Sequence, residues 1–219
     1  MPRIVLIHPY GPSMEPIEAA FQQLWPEAEV LSLLDESLYA DVSAEGVMAP
    51  SVPDRIATLV RHAAASGAEA IVFTGSTFGP AVDTARGLID IPVLKADEAM
   101  ALEAAARGGN VLLACTAARA LPILIRNLEQ AAASIGTQLD ISTLVIPEAK
   151  RALVDGDPEL HDSLILEAIA RQPAPDSLLL GQMSMGRVAR RLPPDHARVA
   201  LTSPEATVRH LRSLFAAAD

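Results

Sequence analysis

With 219 residues, half of them hydrophobic and only 3% aromatic, the chain is long enough for one domain or two small lobes. Its cores must then be built from Ala, Val, Leu and Ile. A net charge of −10 without a basic run argues against nucleic acid or an anionic membrane surface as partner, while leaving room for a locally positive site that takes an acid.

A single cysteine excludes an intrachain disulfide framework and fits a reducing, cytoplasmic setting. The N-terminal run is interrupted at Pro9, too early for a signal peptide. No apolar run approaches the ~20 residues that span a bilayer.

Short apolar runs alternate with segments of helical period, which predicts an α/β protein with mainly parallel sheets. Strands are expected near 3–8, 29–34, 69–74, 91–95, 110–115, 139–146, 176–181 and 197–202. Helices are expected near 14–24, 54–66, 79–88, 97–107, 117–134, 158–171, 185–191 and 204–217. Asp54 and Pro204 suit helix starts, and Gly67, Gly87 and Gly108 suit helix stops. The stretch 47–53 reads as an ordered surface loop.

The chain also matches itself at an offset of 107 residues. Arg3–His8 falls on Asn110–Cys115, Ile71–Thr77 on Leu178–Ser184, and Pro92–Lys95 on Val199–Thr202. The offset predicts two pseudo-symmetric lobes, 1–96 with the C-terminal helix 204–219, and 97–203. An active-site cleft is expected between them.

In open parallel sheets ligands bind beyond the carboxyl ends of the strands, so the residues there are the candidates. Thr74-Gly75-Ser76-Thr77 sets hydroxyls and a turn between a strand and a helix, a good cradle for a carboxylate or an enolate. Thr116, Gln182, Met183 and Ser184 occupy the matching ends of the other lobe. The offset pairs His8 with Cys115, nominating them as base and acid.

Against each stands a plainer reading. Ser and Thr favour N-caps anyway, and a free cysteine is most often a buried small hydrophobe. Lys95 reads more simply as a surface or hinge lysine than as a carboxylate ligand. Asp97 and Glu98 suit a helix N-terminus for electrostatic reasons alone. His161 and Asp162 are adjacent, and adjacent side chains do not naturally face each other. No GxGxxG after the first strand, no P-loop, no zinc-spaced cluster and no G-x-S-x-G elbow is present, so neither a metal nor a cofactor is expected.

The segments Ile71–Ala81, Ile91–Met100, Gly181–Met185 and Leu201–Pro204 together resemble the aspartate/glutamate and hydantoin racemase superfamily over nearly the full length. The resemblance implies two α/β lobes related by a pseudo-two-fold. It also implies proton transfer by two cysteines on opposite faces of the α-carbon, a small carboxylate as ligand, and dimerisation, which is common in that family. The two cysteine positions fall on Gly75 and Gln182, neither of which can transfer a proton near neutral pH. The neighbouring hydroxyls of Thr74, Ser76, Thr77 and Ser184 match positions that bind the substrate carboxylate. Arylmalonate decarboxylases share the glycine at the first position but keep the second cysteine. The resemblance therefore points to an isomerase-type enzyme acting at the carbon α to a carboxylate. A cofactor-independent decarboxylase or lyase, and a non-catalytic carboxylate binder, stand beside it as alternatives.

Overall fold

The structure is a computed structural model that describes residues 1–42 and 47–217. The chain folds as two compact units, Met1–Ala96 with Thr207–Asp219, and Asp97–Ala206.

The first unit contains β1 (Arg3–His8), α1 (Met14–Leu24), β2 (Glu29–Leu34), α2 (Ser37–Ala40), α3 (Val52–Ala65), β3 (Ala70–Phe73), α4 (Gly79–Arg86) and β4 (Val93–Lys95). The second contains α5 (Glu98–Arg107), β5 (Gly109–Cys115), α6 (Leu121–Ile135), β6 (Leu139–Val145), α7 (Pro147–Val154), α8 (Pro158–Ala170), β7 (Ser177–Leu180), α9 (Pro194–Val199) and β8 (Ala200–Thr202). Helix α10 (Ser203–Ala216) runs from the second unit into the first. Short 3-10 turns follow β1 (Gly11–Ser13), β3 (Ser76–Phe78) and β5 (Ala118–Ala120), and a longer 3-10 run follows β7 (Met183–Arg191).

Each unit has a four-stranded, wholly parallel sheet, ordered β2-β1-β3-β4 in the first and β6-β5-β7-β8 in the second. The central strands are continuous apolar runs because both of their faces are covered. Edge strand β2 is exposed or half-buried along its length.

Side chains alternate across the strand. Leu112, Ala114, Leu178 and Leu180 pack on one face with Ile165 and Ile169 of α8. Val111, Leu113, Cys115 and Leu179 pack on the other with Leu124 and Leu128 of α6. In the first unit Val5, Ile7, Ile71 and Phe73 pack against Ile56 and Val60 of α3. Truncating a fully buried residue such as Leu113 to alanine would cost about 2–5 kcal/mol.

Every aromatic residue of the chain lies in the first unit. Tyr10, Tyr39, Phe78 and Phe73 form a chain of edge contacts, while Trp25 stacks on Phe21 and meets Phe215 at a tilt. The second unit fills its core with aliphatic side chains and alanines instead.

Several boundaries differ from expectation. Helices α2, α7 and α9 appear where no helix was expected, and α9 replaces the start of the strand expected at 197. Pro147 and Pro194 sit in the first turns of α7 and α9, where a missing N–H costs nothing. Helix α3 begins at Val52 with Pro53 in its first turn, inside the stretch expected to be a loop. The helix expected over 185–191 is the 3-10 run. Lys95 is 8% exposed and its Nζ lies 3.1 Å from Asp83 Oδ2, so it is not a surface side chain.

Candidate functional site

The carboxyl edge of the first sheet carries a closed group of three side chains. His8 ends β1, Thr74 follows β3, and Ser13 closes the 3-10 turn that leads into α1. His8 Nδ1 lies 3.0 Å from both Ser13 Oγ and Thr74 Oγ1. The two hydroxyls are 2.9 Å apart, and Ser13 Oγ donates to the Tyr10 carbonyl at 2.6 Å. Thr74 Oγ1 also lies 3.4 Å from the Ile7 carbonyl. His8 is fully buried, and its Nε2 has no hydrogen-bond partner among the described residues. Burial pushes the imidazole down to about 4, so it is neutral near pH 7.

Ser13 was not among the sequence candidates. Its partner Thr74 is 61 residues away, and only the β1–β3 pairing, with Ile7 opposite Phe73, brings the two together.

The turn after β3 separates two kinds of hydroxyl. Thr74 is engaged with His8 and Ser13. Ser76 and Thr77 are buried, yet their hydroxyls make no hydrogen bond among the described residues. Gly75 is there for space: a Cβ would overlap the Pro9 ring and lie 2.9 Å from Phe78 Cδ2.

The carboxyl edge of the second sheet is built differently. Cys115 ends β5 on the face shared with Val111 and Leu113, within an apolar cluster, and is fully buried. Burial pushes its thiol up to about 11, the opposite of an activated cysteine. At the offset of 107, the positions of Ser13 and Thr74 are taken by Ala120 and Gly181, neither of which carries a hydroxyl.

Gln182 follows β7, and its Oε1 accepts from the Thr116 backbone N–H at 2.6 Å and from the Thr116 hydroxyl at 3.3 Å. A backbone N–H can only donate, so this contact fixes which end of the carboxamide is oxygen. The Nε2 end is buried and has no acceptor among the described residues. Ser184 is buried, and its hydroxyl makes no hydrogen bond among the described residues. Met183 is buried beside it.

The second unit holds a further polar group that the sequence alone undervalued. His161 and Asp162 do face each other despite being adjacent, with Nδ1 2.9 Å from Oδ1, and both are buried. Asp162 also meets Arg191 Nη1 at 3.1 Å and Arg187 Nε at 3.6 Å. Burial, opposed by Asp162, lowers the His161 imidazole. Lys150 of α7 is pushed down to about 8 by burial and by Arg119. Asp97 and Asn127 pair at 2.6 Å within the same unit.

Among the described residues, no group of three or more His, Cys, Asp or Glu is placed to hold a metal, and no helix is long and apolar enough to cross a membrane.

The family model described as Asp/Glu/Hydantoin racemase matches residues 13–211. No curated protein matches the chain in sequence. Among solved structures, allantoin racemase from Klebsiella pneumoniae is similar, with a TM-score of 0.70 at 19% identity, covering 100% of this chain and 89% of that one. An aspartate racemase homologue from Pyrococcus horikoshii OT3 has a TM-score of 0.67 at 18% identity, covering 98% and 99%. Unliganded arylmalonate decarboxylase has a TM-score of 0.59 at 18% identity, covering 98% and 92%. At these identities the likeness is one of fold.

Proposed function

As the chain belongs to the Asp/Glu/hydantoin racemase family, we propose that it is an enzyme acting at the carbon α to the carboxylate of a small acid. The intermediate is an enolate, formed without the two-thiol proton transfer that the resemblance implies. One observation carries this reading. At the position matching the family's second cysteine, Gln182 presents a half-buried carboxamide whose oxygen is spent on Thr116 and whose buried Nε2 has no acceptor among the described residues. Such a group cannot move a proton, but it can donate to an oxygen on which negative charge develops.

Within the second unit the Ser184 hydroxyl supports the same reading as a further donor, and within the first unit the Ser76 and Thr77 hydroxyls are donors of the same kind. Of the two groups nominated for proton transfer, His8 suits the role better. Its Nε2 has no partner among the described residues, whereas Cys115 lies in an apolar cluster that disfavours the thiolate. Gly75 and the likeness to arylmalonate decarboxylase keep decarboxylation as an alternative reaction at the same carbon.

The test is deuterium uptake at the α-carbon of small carboxylic and amino acids incubated with the protein in heavy water. Exchange that requires His8 supports the proposal. Acids that stabilise the protein against heat without exchange or CO2 release would favour a non-catalytic carboxylate binder instead. A specific observation favours that second reading: neither His8, at about 4, nor Cys115, at about 11, titrates near neutrality.

A further inference from the structure

The three-residue group around His8 has only a few ways to distribute its protons, and counting them gives a direction. Ser13 Oγ has one proton, and its contact to the Tyr10 carbonyl, at 2.6 Å, commits that proton because a carbonyl can only accept. Ser13 is therefore an acceptor toward everything else.

With the proton on His8 Nδ1, an unbroken chain forms: Nδ1–H to Thr74 Oγ1 at 3.0 Å, Thr74 O–H to Ser13 Oγ at 2.9 Å, and Ser13 O–H to the Tyr10 carbonyl. With the proton on Nε2, only Thr74 is available to donate to Nδ1, so one link is lost. The buried Nε2–H would then be a donor without an acceptor, which folded proteins tolerate less well than an under-used acceptor. Chains of aligned hydrogen bonds also strengthen one another.

We infer that Ser13 is a positioning residue that, with Thr74, locks His8 in the tautomer with its proton on Nδ1 and its lone pair on Nε2. His8 is thereby set up to receive a proton rather than to give one. This rests on the proposed function for its chemical consequence. Nε2 takes the α-proton of the bound acid, and the C–H electron pair moves into the carboxylate to give the enediolate. The imidazolium keeps its Nδ1–H in the chain and returns the Nε2 proton to carbon. The substrate class that fits is an acid with an exchangeable α-C–H. An acid that first loses CO2 is a poorer fit, because its enediolate needs a donated proton that neutral His8 does not carry on Nε2.

The tautomer can be read without any substrate, from the 15N shifts of the His8 ring in a long-range 1H–15N spectrum at pH 7. The His8 signals are assigned by their loss in His8→Asn. The wild-type protein should show a protonated Nδ1 and an unprotonated Nε2. Thr74→Val should keep that pattern, because Ser13 Oγ also lies 3.0 Å from Nδ1 and can only accept. Ser13→Ala leaves Thr74 a choice between the Ile7 carbonyl at 3.4 Å and the closer Nδ1 at 3.0 Å. Donation to the closer Nδ1 should raise the Nε2–H population severalfold, lowering exchange kcat about 10-fold with KM little changed.

A wild-type spectrum with Nε2 protonated overturns the inference whatever the activity, as does a Ser13→Ala spectrum identical to wild type. Should Ser13→Ala fail to fold, the wild-type and Thr74→Val spectra decide alone. The expected tautomers without any α-proton exchange would uphold the wiring and overturn the enzyme reading.

Discussion

Gly75 and Pro9 are so closely apposed that no side chain fits between them: a Cβ at position 75 would overlap the Pro9 ring and press on Phe78. Glycine at the family's first cysteine position is thus packed in place by its surroundings. Gly75→Cys is expected to destabilise the protein by about 1–3 kcal/mol through overpacking. The same variant should not gain two-thiol racemase activity. A fall in thermal midpoint together with unchanged racemisation rates checks both points, and a stable, active racemase would contradict them.

Gln182→Glu keeps the acceptor for Thr116 but replaces the two N–H donors with a negative oxygen. Binding of a small acid should weaken by about 10- to 100-fold, the range for losing a hydrogen bond to a charged group. Calorimetric titration with the best-binding acid measures it. Gln182→Leu should weaken binding less, since it removes donors without adding repulsion, and it leaves the Thr116 N–H unpaired.

The depressed His8 imidazole makes stability depend on acid. The unfolded chain protonates His8 near its ordinary value of 6.5, whereas the folded chain refuses that proton until about 4. The contribution to stability is therefore present above pH 6.5 and is lost as pH falls from 6.5 toward 4. It amounts to about 3 kcal/mol at most. Urea midpoints compared at pH 7 and 4.5 should fall less steeply in His8→Asn than in wild type.

Cys115 should behave as a packing residue. In the native state it should resist thiol reagents near neutral pH and react only on unfolding, because burial disfavours the thiolate. Cys115→Ala is expected to cost about 1 kcal/mol of stability and to leave α-proton exchange within about twofold. Loss of exchange in a folded Cys115→Ala protein would return the proton-transfer role to the thiol.

The strands were legible because a parallel sheet covered on both faces needs uninterrupted apolar runs, and Ile4–Ile7, Ala70–Phe73 and Leu178–Leu180 are such runs. The short helices α2, α7 and α9 were not. They run from four to eight residues, and the prolines that open α7 and α9 read equally well as turns. At the site, the offset of 107 correctly set His8 and Cys115 at equivalent strand ends, but equivalence of backbone hid the difference in neighbours. His8 faces Ser13 and Thr74, whereas the matching positions near Cys115 are Ala120 and Gly181. That contrast depends on contacts across dozens of residues, which periodicity does not report.

The anchor of the His8 chain is a backbone carbonyl, whereas His161 is anchored by the carboxylate of Asp162. A carboxylate raises the basicity of the imidazole it holds, at all times and whether or not anything is bound. A carbonyl orients the ring but adds no net charge. In the proposed reading, the missing charge arrives with the ligand: the incoming acid's own carboxylate lifts the base strength of His8 as it binds. The empty protein would then hold an inert imidazole, and the substrate would switch on the group that attacks it.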